Sequence, residues 1–105
     1  MYRIRSIHRA PDGLVLGFTE PVDRSLAILP ESYAVEAVSL TGEASPVTVE
    51  PIIEYDGRTV VLKMHPPSSE TVLRVICRNV PSAAGAKLLS SACSYTIHQE
   101  QKPDS

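Results

Sequence analysis

The stretch DGLVLGFTEPVD (residues 12–23) combines a turn, an alternating strand and a proline-marked exit. Period-two alternation places its large apolar side chains, Leu14, Leu16 and Phe18, on one face of the strand. A similar unit recurs at Tyr55–Met64, where an Asp-Gly turn again precedes alternating apolar residues. Two Asp-Gly turns that lead into such strands predict an antiparallel all-β domain.

The rest of the chain continues the same pattern of short alternating segments between turn residues. Asp23 is expected to cap a single helical turn, and Gly17 within a strand predicts a bulge or a close backbone approach. No segment keeps an apolar period of 3.6 residues, so the predicted fold is a seven-stranded antiparallel β-sandwich. The predicted strands are Tyr2–Arg9, Leu14–Thr19, Tyr33–Leu40, Val47–Glu54, Thr59–Met64, Thr71–Asn79 and Ala92–His98. The fourth is expected to be bent or at an edge, because Pro51 lacks an amide donor.

The length of 105 residues corresponds to one domain, which we assign to residues 1–98. Residues 99–105 are polar and are predicted to be a disordered tail or linker. Because seven is an odd number of antiparallel strands, the chain is expected to enter and leave at opposite ends of the sandwich. The predicted core is Ile4, Leu14, Leu16, Phe18, Val35, Val60, Leu62, Leu73, Val75, Tyr95 and Ile97.

Composition excludes several functional classes. The net charge is −2 and the pI about 5.9, without the basic excess that is usual in nucleic-acid-binding domains. No apolar run approaches the roughly 20 residues of a membrane-spanning helix, so membrane insertion is not expected. Met1–Arg5 lacks an apolar core segment, so no signal peptide is expected in this chain.

The two cysteines are the first candidates for chemistry. If the last two strands form a hairpin, alternation directs both Cys77 and Cys93 inward. Their register is not dictated by the sequence, so buried free thiols and a cross-strand disulfide both remain open. Neither is predicted to be a nucleophile, because His98 points to the opposite face from Cys93.

The aromatic residues offer the second set of candidates. Tyr33 and Tyr95 belong to strands, which leaves Tyr2 and Tyr55 as candidate ligand-contacting rings. The sequence has no Trp on which a sugar could stack. The histidines have no metal-ligand spacing. Asp12 and Asp56 each precede a glycine, so their carboxylates are expected to serve turn conformation rather than to bind a cation. We therefore predict no catalytic residue, no metal site and no cofactor.

Five segments together resemble a bacterial immunoglobulin-like (fibronectin-III-like) accessory domain. Domains of this kind are appended to large secreted dehydrogenase-like and haem-binding proteins, and related ones occur in surface-layer proteins. The resemblance covers residues 2–98 and implies a β-sandwich without chemistry of its own. It rests on DGLVLGFTEPVD (12–23), PESYAVEA (30–37), DGRTVVLKM (56–64), TVLRVICRNVPSAAGAKL (71–88) and YTI (95–97).

These observations favour a non-enzymatic spacer or protein-docking domain of a larger protein that is secreted, periplasmic or at the cell surface. Its expected partners are neighbouring domains or other proteins. A carbohydrate-binding domain is the first alternative, although the chain has only four Tyr and one Phe. A small thiol-based redox protein or hydrolase is the second alternative, and its best feature is the cysteine pair.

Overall fold

The computed structural model describes residues 1–65 and 71–97, and the account below is confined to them. Within this part of the chain, eight strands form two four-stranded antiparallel sheets. The all-β class and the antiparallel pairing predicted from the sequence are confirmed. The strands are β1 Ile4–Ala10, β2 Gly13–Phe18, β3 Tyr33–Ser39, β4 Ala44–Pro46, β5 Glu50–Ile53, β6 Thr59–Lys63, β7 Thr71–Cys77 and β8 Ala92–Ile97. A short helix, α1 (Arg24–Ala27), and a single 3₁₀ turn, Pro30–Ser32, connect β2 to β3.

The strand order is β1-β2-β6-β5 in one sheet and β4-β3-β7-β8 in the other. The central strands are therefore β2 and β6 in the first sheet and β3 and β7 in the second. Each sheet ends in two edge strands: β1 and β5 in the first, β4 and β8 in the second. β1 and β8 lie side by side along one flank of the molecule.

The predicted count of seven strands was wrong, because a short strand that was not predicted, β4, precedes the predicted fourth strand, Val47–Glu54. β4 pairs with β3, whereas β5 pairs with β6. The two segments run in the same direction, and residues 47–49 carry the chain across. Val47 still donates its amide to the Val35 carbonyl, at 2.9 Å, and Val49 is buried. Pro51 lies in the edge strand β5, as its missing donor requires.

The core lies between the two sheets and contains most of the predicted residues. Of the predicted set, Ile4 and Tyr95 are only half-buried against it, and the side chain of Ile97 lies outside the described part. Tyr2, Val22 and Tyr33 are also buried, although they are not in the predicted set. The fully or nearly fully buried predicted residues are Leu14, Leu16, Phe18, Val35, Val60, Leu62, Leu73 and Val75.

Side chains cap both ends of the short helix α1. The Asp23 carboxylate accepts from the Ser25 amide at 3.1 Å, so the predicted N-cap is confirmed. The hydrogen bond from the Ser25 hydroxyl, at 2.6 Å, holds the pKa of Asp23 below its ordinary value. At the other end, Ser32 donates to the Leu26 carbonyl and Tyr33 to the Ala27 carbonyl. These bonds satisfy carbonyls that a helix end leaves without partners.

The predicted irregularity at Gly17 is confirmed. The register of β1 against β2 shifts between Ile4 and Ser6, opposite this glycine. A Cβ atom added to Gly17 would lie 2.5 Å from the Ser6 Oγ atom. The glycine therefore makes room for the bulged strand, which is a common role of glycine within sheets.

The first and last residues of the described part, Met1 and Ile97, lie at opposite ends of the sandwich. The Leu89 amide donates to the Tyr2 carbonyl at 3.0 Å, so β1 and β8 begin at the same end and run in the same direction. At the other end, Ile97 pairs with Thr71. The longest dimension is 48 Å, against 30 and 22 Å for the others. The structure has eight strands, but β4 and β5 run in the same direction and together cross the sandwich once. The number of crossings is therefore still odd, as the predicted entry and exit at opposite ends require. The predicted tail, residues 99–105, lies outside the described residues.

Gly13 provides a test of this packing. A Cβ atom there would lie 2.0 Å from the Leu62 carbonyl oxygen, which belongs to a paired central strand and cannot move alone. We expect Gly13→Ala to lower the free energy of unfolding by about 2 kcal/mol or more, measured by urea denaturation. Gly17→Ala is the matched control, because Ser6 can rotate away and the cost should stay under about 1 kcal/mol. Equal losses in the two variants would contradict this account.

Candidate functional site

Tyr2 is not an exposed ligand contact, contrary to the sequence-based expectation. Its side chain is 2% exposed and stacks on Phe18 with the ring centroids 5.9 Å apart. The phenol donates to the Val80 carbonyl at 3.2 Å, and burial raises its pKa well above the ordinary value. Tyr2 thus joins the first strand to the loop before β8. The same period-two alternation that places Ile4 inward also applies to Tyr2, and this signal could have revealed its burial.

Tyr55 is fully presented to solvent, with 99% of its surface exposed. It lies in the turn between β5 and β6, at the end of the sandwich where the chain enters. Arg24 Nη2 donates to the Tyr55 carbonyl at 3.2 Å, which ties this turn to α1. The Asp56 carboxylate accepts from the Arg58 and Thr59 amides at 2.9 and 3.1 Å. The ring therefore projects from a turn held by several hydrogen bonds.

A flat sugar-binding platform needs more than one exposed ring. All five aromatic residues of the sequence lie in the described part, and Phe18, Tyr2 and Tyr33 are buried there. Tyr95 is half-buried against the core. Tyr55 is thus the single aromatic ring that these residues offer to a ligand.

The two cysteines face the core as free thiols, with Cys77 buried and Cys93 half-buried. Cys93 pairs with Val75, and the Cys77 amide donates to the Ser91 carbonyl at 2.7 Å. The thiols therefore lie on the same face but two positions apart along the hairpin. In this register Ala92 lies opposite Ile76, which settles the alignment that the sequence had left open.

Neither thiol has the surroundings of an activated nucleophile. Burial raises the pKa of the Cys77 thiol to about 12, and the nearby Cys93 adds to the rise. Burial also raises the pKa of Cys93. A reactive cysteine needs the reverse, a stabilised thiolate. His98, the histidine nearest to Cys93 in the sequence, lies outside the described residues.

The turn carboxylates are occupied by local structure. Asp56 accepts three hydrogen bonds from Arg58 and Thr59, and the first of these, from the Arg58 amide, is the main reason that its pKa is lowered. Asp12 lies 4.0 Å from the Lys63 ammonium group. Residues 1–65 and 71–97 contain no group of three or more His, Cys, Asp or Glu side chains that could hold a metal ion. In the same residues, no helix has the length and apolarity needed to cross a membrane.

An open cleft of about 480 Å³ lies at the end of the sandwich opposite Tyr55. The buried side chains of Val49 and Met64 form its floor. Glu50 and His65 stand on its exposed rim, together with the ion pair of Asp12. An apolar floor with a charged rim can receive an apolar side chain of a partner. The charged groups of the rim are exposed to solvent and do not converge on a common ligand position.

Comparisons with known proteins support the fold. No protein-family model matches the chain, and no curated protein does. Among solved structures, the N-terminal part of the bacterial S-layer protein SbsC is similar, with 18% identity and a TM-score of 0.76. Domains 1–6 of SbsC are similar at 15% identity with a TM-score of 0.77. At such identities the likeness shows a shared fold.

These matches also differ greatly in length from the chain. The chain is matched over 93% and 96% of its residues, but it spans only 24% and 14% of the two SbsC structures. A third structure, rSbsC(31–844), likewise has 17% identity, a TM-score of 0.77 and 14% of its length covered. The described fold thus corresponds to a small part of each of these proteins.

The raised pKa of Cys77 predicts slow alkylation of the folded protein. Between the ordinary value of 9.0 and about 12, the thiolate fraction at pH 8 falls roughly 1000-fold. We expect iodoacetamide to label Cys77 slower by at least that factor in buffer than in denaturant, measured by mass spectrometry in Cys93→Ser. The pKa of the Cys77 thiol is higher in the folded protein than in the unfolded chain. The free energy of unfolding is therefore not reduced by this thiol below pH 9, and it decreases as the pH rises from 9 toward 12.

Cys77→Ser isolates Cys93 as the matched control, which should react faster because it is half-buried. Equal native and denatured rates for Cys77 would contradict the burial of its thiol.

Proposed function

We propose that the chain is a non-enzymatic β-sandwich domain that serves as a spacer or protein-docking domain within a larger secreted or cell-envelope protein. The observation that carries this proposal is the placement of the first and last described strands, β1 and β8. β1 and β8 start together and run in the same direction, so the chain passes through the long axis of the sandwich. A domain with this geometry sets its neighbours apart by a fixed distance.

An immunoglobulin-like or fibronectin-III-like assignment forms part of the proposal. Its support is the strand order β1-β2-β6-β5, which follows the A-B-E-D order of immunoglobulin domains. In the second sheet, β3-β7-β8 follows the order C-F-G, and β4 extends it beside strand C. The inter-sheet disulfide and core Trp of antibody domains have no counterpart here.

A bacterial cell-surface location is also proposed. The solved structures that share the fold belong to an S-layer protein, and each is several times longer than this chain. A parent protein of the surface-layer type fits these neighbours better than the dehydrogenase-like or haem-binding type. The absence of catalysis is proposed because burial raises the pKa of both thiols, with Cys77 buried and Cys93 half-buried, and because the turn acids are engaged locally.

Carbohydrate binding is the weaker second candidate, and one observation favours it. Tyr55 projects as a fully exposed ring from a turn that hydrogen bonds hold in place. One ring offers stacking on one sugar unit only, so weak binding is the most that this surface predicts. Loss of polysaccharide binding in Tyr55→Ser, with binding retained in the matched variant Leu40→Ser at the other end, would favour this candidate.

The spacer role is testable by joining a donor and an acceptor fluorophore domain to the two ends of the chain. We expect a narrow single-molecule energy-transfer distribution, because the sandwich holds its ends on opposite sides. A Gly/Ser linker of the same length is the control, and it should give a broad distribution. A distribution as broad as that of the linker, or a short separation of the ends, would contradict the proposal.

A further inference from the structure

Three of the four edge strands carry features that hinder pairing with another strand. β1 contains the bulge between Ile4 and Ser6 and the basic side chain of Arg5. β4 has only three residues and ends in Pro46. β5 contains Pro51, which lacks an amide donor. Bulges, charges, prolines and short length are the usual protections of exposed sheet edges.

β8 has none of these protections. Its six residues, ACSYTI, include no charge, no proline and no glycine. Its register against β7 continues without a shift from Ala92 to Ile97. The strand is therefore a neutral edge without a bulge, and its last three residues, Tyr95, Thr96 and Ile97, are of types that favour β-structure.

The outward backbone groups of this edge follow from the hydrogen-bond alternation. The Cys77 amide donates to the Ser91 carbonyl, so residues 91, 93, 95 and 97 direct their peptide groups toward β7. Ala92, Ser94 and Thr96 then direct theirs away from the sheet. None of these three groups has a hydrogen-bond partner among residues 1–65 and 71–97.

We propose that β8 pairs with β8 of a second copy of this chain, antiparallel and about a two-fold axis at Ser94. Ala92 then lies opposite Thr96 of the second copy, and the outward residues exchange hydrogen bonds across the axis. The two second sheets join into one continuous sheet. This contact is independent of the proposed spacer role, since it uses the flank of the sandwich and not its ends.

The side chains of β8 suit this particular pairing. On the inner face, each half-buried Tyr95 lies opposite Cys93 of the second copy, so a large side chain meets a small one. On the outer face, Ser94 meets Ser94, and no charges are opposed. The corresponding pairing of β1 would bring arginines together and would have to accommodate the bulge.

The contact is expected to be weak. A single six-residue strand pair buries less than the roughly 1,200 Å² at which stable specific interfaces begin. We therefore expect reversible dimers that form between about 10 μM and about 1 mM protein. The dimer should be detectable by sedimentation equilibrium, and its formation should shift the amide NMR signals of Ala92, Ser94 and Thr96 with concentration.

Ser94→Pro is the decisive variant, because it removes the central amide from both copies without removing a bond to β7. We expect it to abolish dimerisation while the far-ultraviolet spectrum stays that of β-structure. Ser94→Lys opposes two ammonium groups at the axis and should weaken the dimer at least severalfold, with partial recovery in high salt. It keeps the test valid if the proline variant unfolds.

Ser45→Lys adds the same charge at the far edge of the same sheet and should leave the dimer unchanged. The proposal is overturned if the unaltered chain stays monomeric over this concentration range. It is also overturned if both Ser94 variants dimerise like the unaltered chain, or if the concentration-dependent shifts map to residues away from β8. A strand from another protein on β8, without self-pairing, would likewise reject the second copy as its occupant.

Discussion

The structure depends on the burial of alternate side chains between its two sheets. The four central strands β2, β3, β6 and β7 each contribute inward residues that are almost completely buried, such as Leu16, Val35, Val60 and Val75. A slip of one residue in any central strand would turn its apolar set toward water, so this burial determines the register throughout. Once the strands are aligned in this way, the turns and the capped helix connect their ends, and the alternate side chains lie on the exposed outer faces.

The two flanks of the sandwich are closed in different ways. On one flank the chain itself crosses between the sheets at residues 47–49, so β4 and β5 are covalently continuous. On the other flank, β1 and β8 lie side by side without pairing, and the bond between Leu89 and Tyr2 joins their beginnings. This second flank is held by side-chain packing, including Tyr2 on Phe18, and leaves a free strand edge.

The polar side chains of the described residues mostly serve the fold. Asp23 caps a helix, Asp56 organises a turn, and Ser32 and Tyr33 satisfy helix carbonyls. Each of these groups is engaged in a local hydrogen bond that holds a turn or a helix end. The exposed ring of Tyr55 and the open cleft lie at opposite ends of the sandwich.

The sequence by itself determined the class of fold, the positions of seven of the eight strands to within a few residues, the cap at Asp23 and the irregularity at Gly17. These features depend on local periodicity and on single-residue backbone preferences. Only the tertiary structure decided that Tyr2 is buried, that the short strand β4 joins the second sheet before the chain crosses to β5, and that Cys77 and Cys93 are offset. Each of these features depends on which distant strand lies opposite. The alternation of side chains within one segment does not specify the strand with which that segment pairs. The same reason explains why residues lacking local motifs, such as those of β8, acquire a role only through their place at the edge of a sheet.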